Sequence, residues 1–258
     1  MFQLERQAKM LEYINDKGRV RIRDLSRLYN ISTVTARADM NELAQKGLIV
    51  KTHGGVMSIK DRLSMEIPFS NKMMQNLDQK REVAKLALDL IKDGDIIILD
   101  SGSTTLELAK RIKNRSLRVI TNDIKIGETL ASSSGITVNM PGGSIEPGLF
   151  TLLGDETAAY FNNIRANKLF LGVDAMDLEW GISNRTMQEV AIKRAMISAS
   201  MEVIAITDSS KMNHQVFAHV CDLSMIDVLI IDYLSLRNQA SLEKAGIKVI
   251  LPKDARSL

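Results

Sequence analysis

The sequence predicts two domains of different class: a winged helix-turn-helix over residues 1–57 and an α/β domain with a mainly parallel sheet over residues 76–258. Three observations carry this. Within residues 7–45, three short helical runs follow one another across tight turns, and an apolar stretch with a Gly-Gly turn closes the series. From residue 96 onward, apolar runs of strand length alternate with runs of helical periodicity, the pattern of parallel strands joined by crossover helices. Charge is also divided, since residues 1–60 hold eleven Lys/Arg against six Asp/Glu whereas residues 61–258 hold twenty-three against twenty-five.

With 258 residues, 45% of them hydrophobic and 25% charged, the chain can bury a core in each domain. No apolar run approaches membrane-spanning length, and the opening MFQLERQAKM lacks the apolar stretch of a signal peptide. A cytoplasmic protein with no membrane partner is expected. The single cysteine, Cys221, cannot form an internal disulfide and reads as a small buried side chain. With only three scattered histidines beside it there is no zinc-ligand cluster, so neither a metal nor a cofactor is expected.

In the first domain, Met10, Leu11 and Ile14 give a helix over 7–16 its apolar face, and Lys17-Gly18 ends it. Val20-Arg21-Ile22 is a short extended piece. A second helix over 23–29 turns Leu25 and Leu28 inward, and Asn30-Ile31-Ser32 is the tight turn into a third. Ser32 stands at the N-cap of that third helix, in which Ala36, Met40, Leu43 and Ala44 share the inward face. Ser32, Thr33, Thr35, Arg37 and Asn41, with Gln45, are then able to reach phosphates and base edges of a major groove. Gly47 stops the helix, residues 48–52 read as a strand, and His53-Gly54-Gly55 as a tight turn back. Lys51, Thr52 and His53 thereby belong to a basic hairpin wing beside the helix. The plainer alternative is a solvated amphipathic helix in some unrelated unit; the two helices and short turn ahead of residue 32 decide against it.

Residues 58–75 mix charges, Ser and Pro68 without periodicity and read as a linker. Val83, Leu86, Ala87, Leu90 and Ile91 then recur at helical spacing within 76–92. Strands are predicted at 96–100, 117–121, 136–140, 168–173, 203–207, 228–231 and 249–251. Helices are predicted at 104–112, 123–131, 156–164, 187–200 and 236–245.

Ligands of open α/β sheets bind beyond the carboxyl ends of the strands, and strand after strand here ends in small or polar residues. The first runs into Asp100-Ser101-Gly102-Ser103-Thr104-Thr105, where glycine permits close approach, hydroxyls donate hydrogen bonds and the start of a helix attracts a phosphate. No Gly-Lys-Ser/Thr follows, so it is not a Walker loop. Others end in Thr121-Asn122, Pro141-Gly142-Gly143-Ser144, Gly172-Val173-Asp174 and Asp208-Ser209-Ser210-Lys211. Each alone is ordinary loop chemistry. Together, five such endings suggest a pocket for a small phosphorylated polyol. In it Ser101, Gly102, Ser103, Thr104 and Thr105 take the phosphate, Lys211 supplies a counter-charge, Asp100, Asn122 and Asp174 meet hydroxyls, and Gly142 and Gly143 belong to the lining.

Two sets of motifs resemble the DeoR family of bacterial transcriptional regulators. The run QAKMLEYINDKGRVRIRDLSRLYNISTVTARADMNELAQKGLIVKTHGGV, with its Ser32, Thr35, Arg37 and Asp39 and its closing His53-Gly54-Gly55, is similar to that family's amino-terminal domain. LDSGSTT, VITND, MPGG, LGVDAMD and ITDSSK are similar to its effector domain, so the resemblance covers nearly the full chain. The chain departs from the family at Ala38, where members often carry a second basic residue, and at Gln188-Glu189-Val190-Ala191, where they often have a more acidic run. The resemblance implies an effector domain similar in fold to ribose-5-phosphate isomerase. It also implies double-stranded operator DNA and a phosphorylated sugar as partners, in a repressor of a carbohydrate catabolic operon. The alternative is a sugar-phosphate isomerase-like enzyme with an attached DNA-binding domain. Such isomerases carry a Gly-rich stretch followed by a catalytic Glu-Lys, and none follows LGVDAMD, so no enzyme activity is expected and no catalytic residue is assigned. A homodimer or homotetramer is expected, because one winged helix buries modest surface on DNA.

Overall fold

Apolar residues at three- and four-residue spacing close the first core. α1 (Gln3–Lys17) turns Met10 and Ile14 inward, α2 (Ile22–Leu28) turns Leu25, and α3 (Thr33–Gln45) turns Ala36, Met40 and Leu43. They pack on β1 (Arg19–Arg21), β2 (Ile49–Thr52) and β3 (Gly55–Ser58), an antiparallel sheet in the order β1-β3-β2 that contributes Val20, Ile49 and Val56. Asn30, at φ 49°, makes the left-handed turn between α2 and α3. Gly55 answers a close approach, since a Cβ there would lie 2.5 Å from the Val20 carbonyl oxygen on the adjoining strand.

The computed structural model describes residues 3–45, 48–52, 54–58, 69–146 and 149–253. Its contacts divide the chain into two units, Met1–Met65 and Glu66–Leu258. Two expectations are corrected. Leu28 is 54% exposed rather than inward: α2 ends at it, and that short helix reaches the core through the buried Leu25 and the half-buried Ile22. The stretch read as linker also holds structure: Ser58 ends β3, and Phe69–Met74 forms a helix, α4. Residues 59–68 of that stretch lie outside the described residues.

In the second unit, α5 (Leu77–Leu88) leads to β4 (Ile96–Leu99), α6 (Ser103–Ala109), β5 (Leu117–Ile120), α7 (Ile124–Leu130) and β6 (Ile136–Asn139). A small hairpin, β7 (Ser144–Ile145) with β8 (Leu152–Leu153), precedes α8 (Asp155–Asn162) and β9 (Ala166–Gly172). Then come β10 (Ala175–Asp177), β11 (Gly181–Asn184), α9 (Met187–Ser198), β12 (Ser200–Thr207), β13 (Ala218–Cys221), β14 (Val228–Ile231), α10 (Leu236–Lys244) and β15 (Lys248–Ile250). Seven of these strands form one parallel sheet in the order β15-β14-β12-β9-β4-β5-β6. They are the seven that the apolar runs predict. Side chains alternate across it: Ile98, Leu169, Leu171 and Ala205 pack with Phe161 of α8 and Val190 and Met196 of α9, while Ile97, Leu99, Phe170 and Ile204 pack with Val83 of α5, Leu106 of α6 and Ile126 of α7. Both faces are thus covered, as a parallel sheet requires. The antiparallel sheet β10-β11-β13 was not expected from the sequence. Cys221, on β13, is buried, and burial pushes its thiol up to about 11.

Candidate functional site

The third helix begins with a reciprocal cap. Ser32 Oγ accepts a hydrogen bond from the Thr35 amide at 3.0 Å and lies 2.8 Å from Thr35 Oγ1, so these two predicted contact residues are engaged in starting α3. Its roll is fixed by Asp39, fully buried, which accepts from Arg6 Nε at 2.6 Å, from Arg6 Nη2 at 3.2 Å and from Gln7 Nε2 at 3.2 Å on α1. The side chains left outward are Thr33, Val34, Arg37, Ala38, Asn41 and Gln45, all exposed. Thr33 and Arg37 line a groove with Arg21, Ile22, Arg23 and Gly54, which brings the start of α3, the start of α2 and the wing turn together. Lys51 is exposed on β2, and Thr52 beside it is half-buried. His53 lies outside the described residues.

In the second unit, the direction of strand succession reverses between β4 and β9, the point at which open sheets leave a crevice. The loops leaving β4, β9 and β12 enclose a cleft there. Ser101, Gly102, Ser103 and Thr104 come from the first loop, Gly172, Val173 and Asp174 from the second, and Thr207, Asp208 and Lys211 from the third. Lys72 and Gln75, at the end of α4, Lys80 of α5, Leu149–Thr151 of the hairpin, Asn184 of β11 and Glu189 and Lys193 of α9 complete the lining.

The charges of this cleft hold one another. Lys193 is buried and paired with Asp100, and also donates to the Gly172 carbonyl at 3.1 Å. Burial alone would lower its pKa, but Asp100 and Glu189 raise it above the ordinary lysine range. Asp174 accepts from Lys72 Nζ at 3.0 Å and lies 3.7 Å from Arg185 Nε. Burial would raise its carboxyl; Lys72, Arg185 and Lys193 outweigh that and hold it well below the usual carboxylate range. Lys80 donates to the carbonyl oxygens of Lys72 at 2.5 Å and Gln75 at 2.6 Å, and burial pushes its pKa down to about 8. Burial also lowers Lys211, whose ammonium has no hydrogen-bond partner among the described residues.

Of the predicted pocket residues, Ser101, Gly102, Ser103, Thr104, Asp174 and Lys211 line the cleft. Five others do not, each for a reason in the packing. Asp100 is taken by Lys193 and by the Gly172 amide, which donates to it at 2.9 Å. Thr105 is buried, its hydroxyl donating to the Gly102 carbonyl at 2.8 Å to close the turn. Asn122 donates to the Leu152 carbonyl at 3.2 Å. The Gly142 carbonyl accepts from Thr157 Oγ1 at 2.7 Å, and a Cβ on Gly143 would lie 2.3 Å from that hydroxyl and 2.6 Å from the Leu153 carbonyl oxygen. These glycines let two loops touch. Sequence reasoning missed Lys72, Lys80, Glu189 and Lys193 as lining. Glu189 and Lys193, four apart among the buried Val190, Ile192 and Met196, were a signal: two charges on the core-facing side of a helix.

Residues 6–62 match the DeoR-like helix-turn-helix domain, and residues 75–233 match the DeoR C terminal sensor domain. The chain belongs to the DeoR family. Members of the DeoR family of similar length include a candidate aga operon transcriptional repressor of Escherichia coli O157:H7, 35% identical over 96% of this chain and 93% of the relative. The HTH-type transcriptional regulator GolR of Listeria innocua is 31% identical over 90% of this chain and 91% of its own. The HTH-type transcriptional repressor GlcR of Bacillus subtilis is 29% identical over 97% of each. This DeoR-family chain is therefore a DNA-binding transcriptional regulator, in a family of regulators rather than enzymes. Ribose 5-phosphate isomerase A of Methanocaldococcus jannaschii overlaps 54% of this chain and 55% of its own at a TM-score of 0.40 and 18% identity, too small a likeness to carry a functional argument. Among the described residues no helix is long and apolar enough to cross a membrane.

Proposed function

We propose that this regulator represses a carbohydrate catabolic operon, holding double-stranded operator DNA by α3 and the wing, and that a phosphorylated sugar in the cleft controls that hold. The observation that carries the second half is the cleft's chemistry. The Lys211 ammonium, without a hydrogen-bond partner among the described residues, stands in one lining with the hydroxyl-bearing Ser101, Ser103 and Thr104, which suits a phosphate. Asp174, Glu189 and Asp208 line the same cleft and suit the hydroxyl groups of the same ligand. Binding without turnover fits the carboxylates best. A general base needs a pKa near the working pH and freedom to reach its proton; Asp174 is held far below that range and Asp100 is committed to Lys193. On the DNA side, Thr33, Arg37, Asn41 and Lys51 are the exposed members of the predicted contact set apart from Ser32, which is occupied as a cap. The working form is a cytoplasmic homodimer or homotetramer, which supplies paired reading heads for paired half-sites.

Ligand control requires only that the sugar phosphate bind two arrangements of the protein unequally, a coupling of roughly 1–3 kcal/mol. Fluorescence anisotropy with DNA from upstream of the protein's own gene, titrated with a panel of sugar phosphates at fixed salt, tests it. One phosphorylated sugar should release the DNA while its unphosphorylated parent does not. DNA binding indifferent to every sugar phosphate would remove the cleft assignment, and consumption of one would reinstate the isomerase reading.

A further inference from the structure

Val34 is the most exposed large hydrophobic residue among the described residues of the winged unit, at 75%. It lies in the first turn of α3 and begins a stripe, Val34, Arg37, Ala38 and Asn41, whose spacing puts all four on one face. The helix cannot roll to hide it, because Ala36, Met40 and Leu43 are in the core and Asp39 is tied to Arg6 and Gln7. Nor does Val34 serve the helix itself: a β-branched residue on a solvated face is a poorer helix former than alanine.

We infer that Val34 reads a thymine in the operator through its C5-methyl group, with Ala38 making a second, shallower methyl contact one turn along. The amino-terminal turns of a recognition helix meet base edges. Arg21, Arg23 and Arg37, exposed around the start of α3, select a polyanion as the partner. Within a polyanionic duplex, the apolar feature offered to the major groove is the thymine methyl. Four residues of α-helix advance about 6 Å, close to two base steps of ~3.4 Å, so the two contacts fall on bases about two steps apart. Arg37 and Asn41, between and beyond them, have the donors and acceptors for guanine and adenine. The operator half-site is therefore specified partly by methyl groups, and Ala38, exposed on the same face, is part of that specificity.

The inference rests on α3 being the helix that enters the groove, and the experiment separates the two. Duplexes are selected from a random library with the full-length protein, and each thymine of the recovered site is replaced in turn by uracil, which lacks only the methyl. Affinities are measured at fixed salt for the unaltered protein, Val34→Ala and Arg37→Ala. Val34 is outside the core and 75% exposed, so Val34→Ala should fold as before. At one thymine or more, uracil should weaken the unaltered protein about threefold to tenfold, the size expected for one buried methyl, and should not weaken Val34→Ala further. An equal uracil penalty in both proteins at every thymine that matters, or none at any thymine, overturns the assignment; a shared penalty confined to one thymine about two steps from the Val34 one is the Ala38 contact. If Arg37→Ala weakens binding by about fivefold or more in that case, α3 remains the reading helix and only the role of Val34 falls; if it does not, both fall.

Discussion

The two units treat charge in opposite ways. In the winged unit the cations Arg21, Arg23, Arg37 and Lys51 are exposed, while the carboxylate Asp39 is buried as a tie between helices. In the α/β unit both signs are paired away from the surface around a cleft, Lys193 with Asp100 fully buried and Lys72 with Asp174 half-buried. A duplex brings many phosphates, so exposed and screened contacts can add up to useful affinity. A small anion brings one or two charges, and only partial exclusion of water makes them count. That strength has a structural cost: charges removed from water must already be matched when the cleft is empty. Binding to α3 is then an addition of contacts, whereas binding in the cleft adds those of Lys211 and exchanges those of the paired charges.

The largest test breaks a matched pair. Lys193→Met leaves Asp100 buried without its counter-charge, with only the Gly172 amide on it among the described residues, and should cost ~3–5 kcal/mol in the urea transition of the α/β unit. Lys193→Met combined with Asp100→Leu should recover much of it; a loss from the single variant below about 1 kcal/mol would mean that water reaches the pair. Next, Lys211→Ala should leave that transition and operator affinity unchanged while lowering sugar-phosphate affinity by ~1.5–3 kcal/mol in calorimetry, the worth of hydrogen bonds to a charged group. Arg37→Ala should do the reverse, weakening operator binding by ~1–3 kcal/mol with folding intact. Salt sharpens the contrast: operator affinity should fall steeply with log salt, and cleft affinity only slightly.

The smallest effect is one of pH. Lys80 has a folded-state pKa of about 8 against an ordinary 10.5, lowered by burial and by the charges of Lys211 and Lys72, with Asp208 and Glu107 acting the other way. Between those values the unfolded chain holds a proton that the folded chain does not, so this group's contribution to stability improves as pH rises through the window. Anion affinity moves oppositely, because the cleft loses a cation. About a threefold weakening of sugar-phosphate binding between pH 7 and 9, absent in Lys80→Met, is the expected reading.

Much of this was legible in the sequence, for physical reasons that also mark its limits. Ile96-Ile97-Ile98-Leu99 announces a strand because a parallel strand covered on both faces is apolar throughout. Gly181-Ile182-Ser183-Asn184 does not: it is equally buried, but its pairing with β13 joins residues far apart in the chain and half of it is polar. Strand-end loops pointed to the cleft, since topology alone gathers them at one edge. Lys193 and Lys72 escaped because they reach it from helices. Gly143 was misread for the opposite reason, a loop glycine demanded by Thr157 and Leu153 rather than by a ligand. In the winged unit the outward face of α3 was legible from periodicity. Ser32 as its N-cap was legible too; what the residue types could not say was that Thr35, through its amide and hydroxyl, would be the group spent on that cap.

One further consequence follows from the way α4 is held. A helix of six residues has no standing of its own in water. This one is fastened by the Lys80 ammonium on the carbonyl groups of Lys72, in its last turn, and Gln75, just past its end, and by Lys72 reaching Asp174. Its amide protons should therefore exchange through a local opening whose closing constant is set by those two lysines. A ligand that draws either lysine toward itself changes that constant, so occupancy of the cleft can be followed by the isotope uptake of a single peptide, in the absence of DNA.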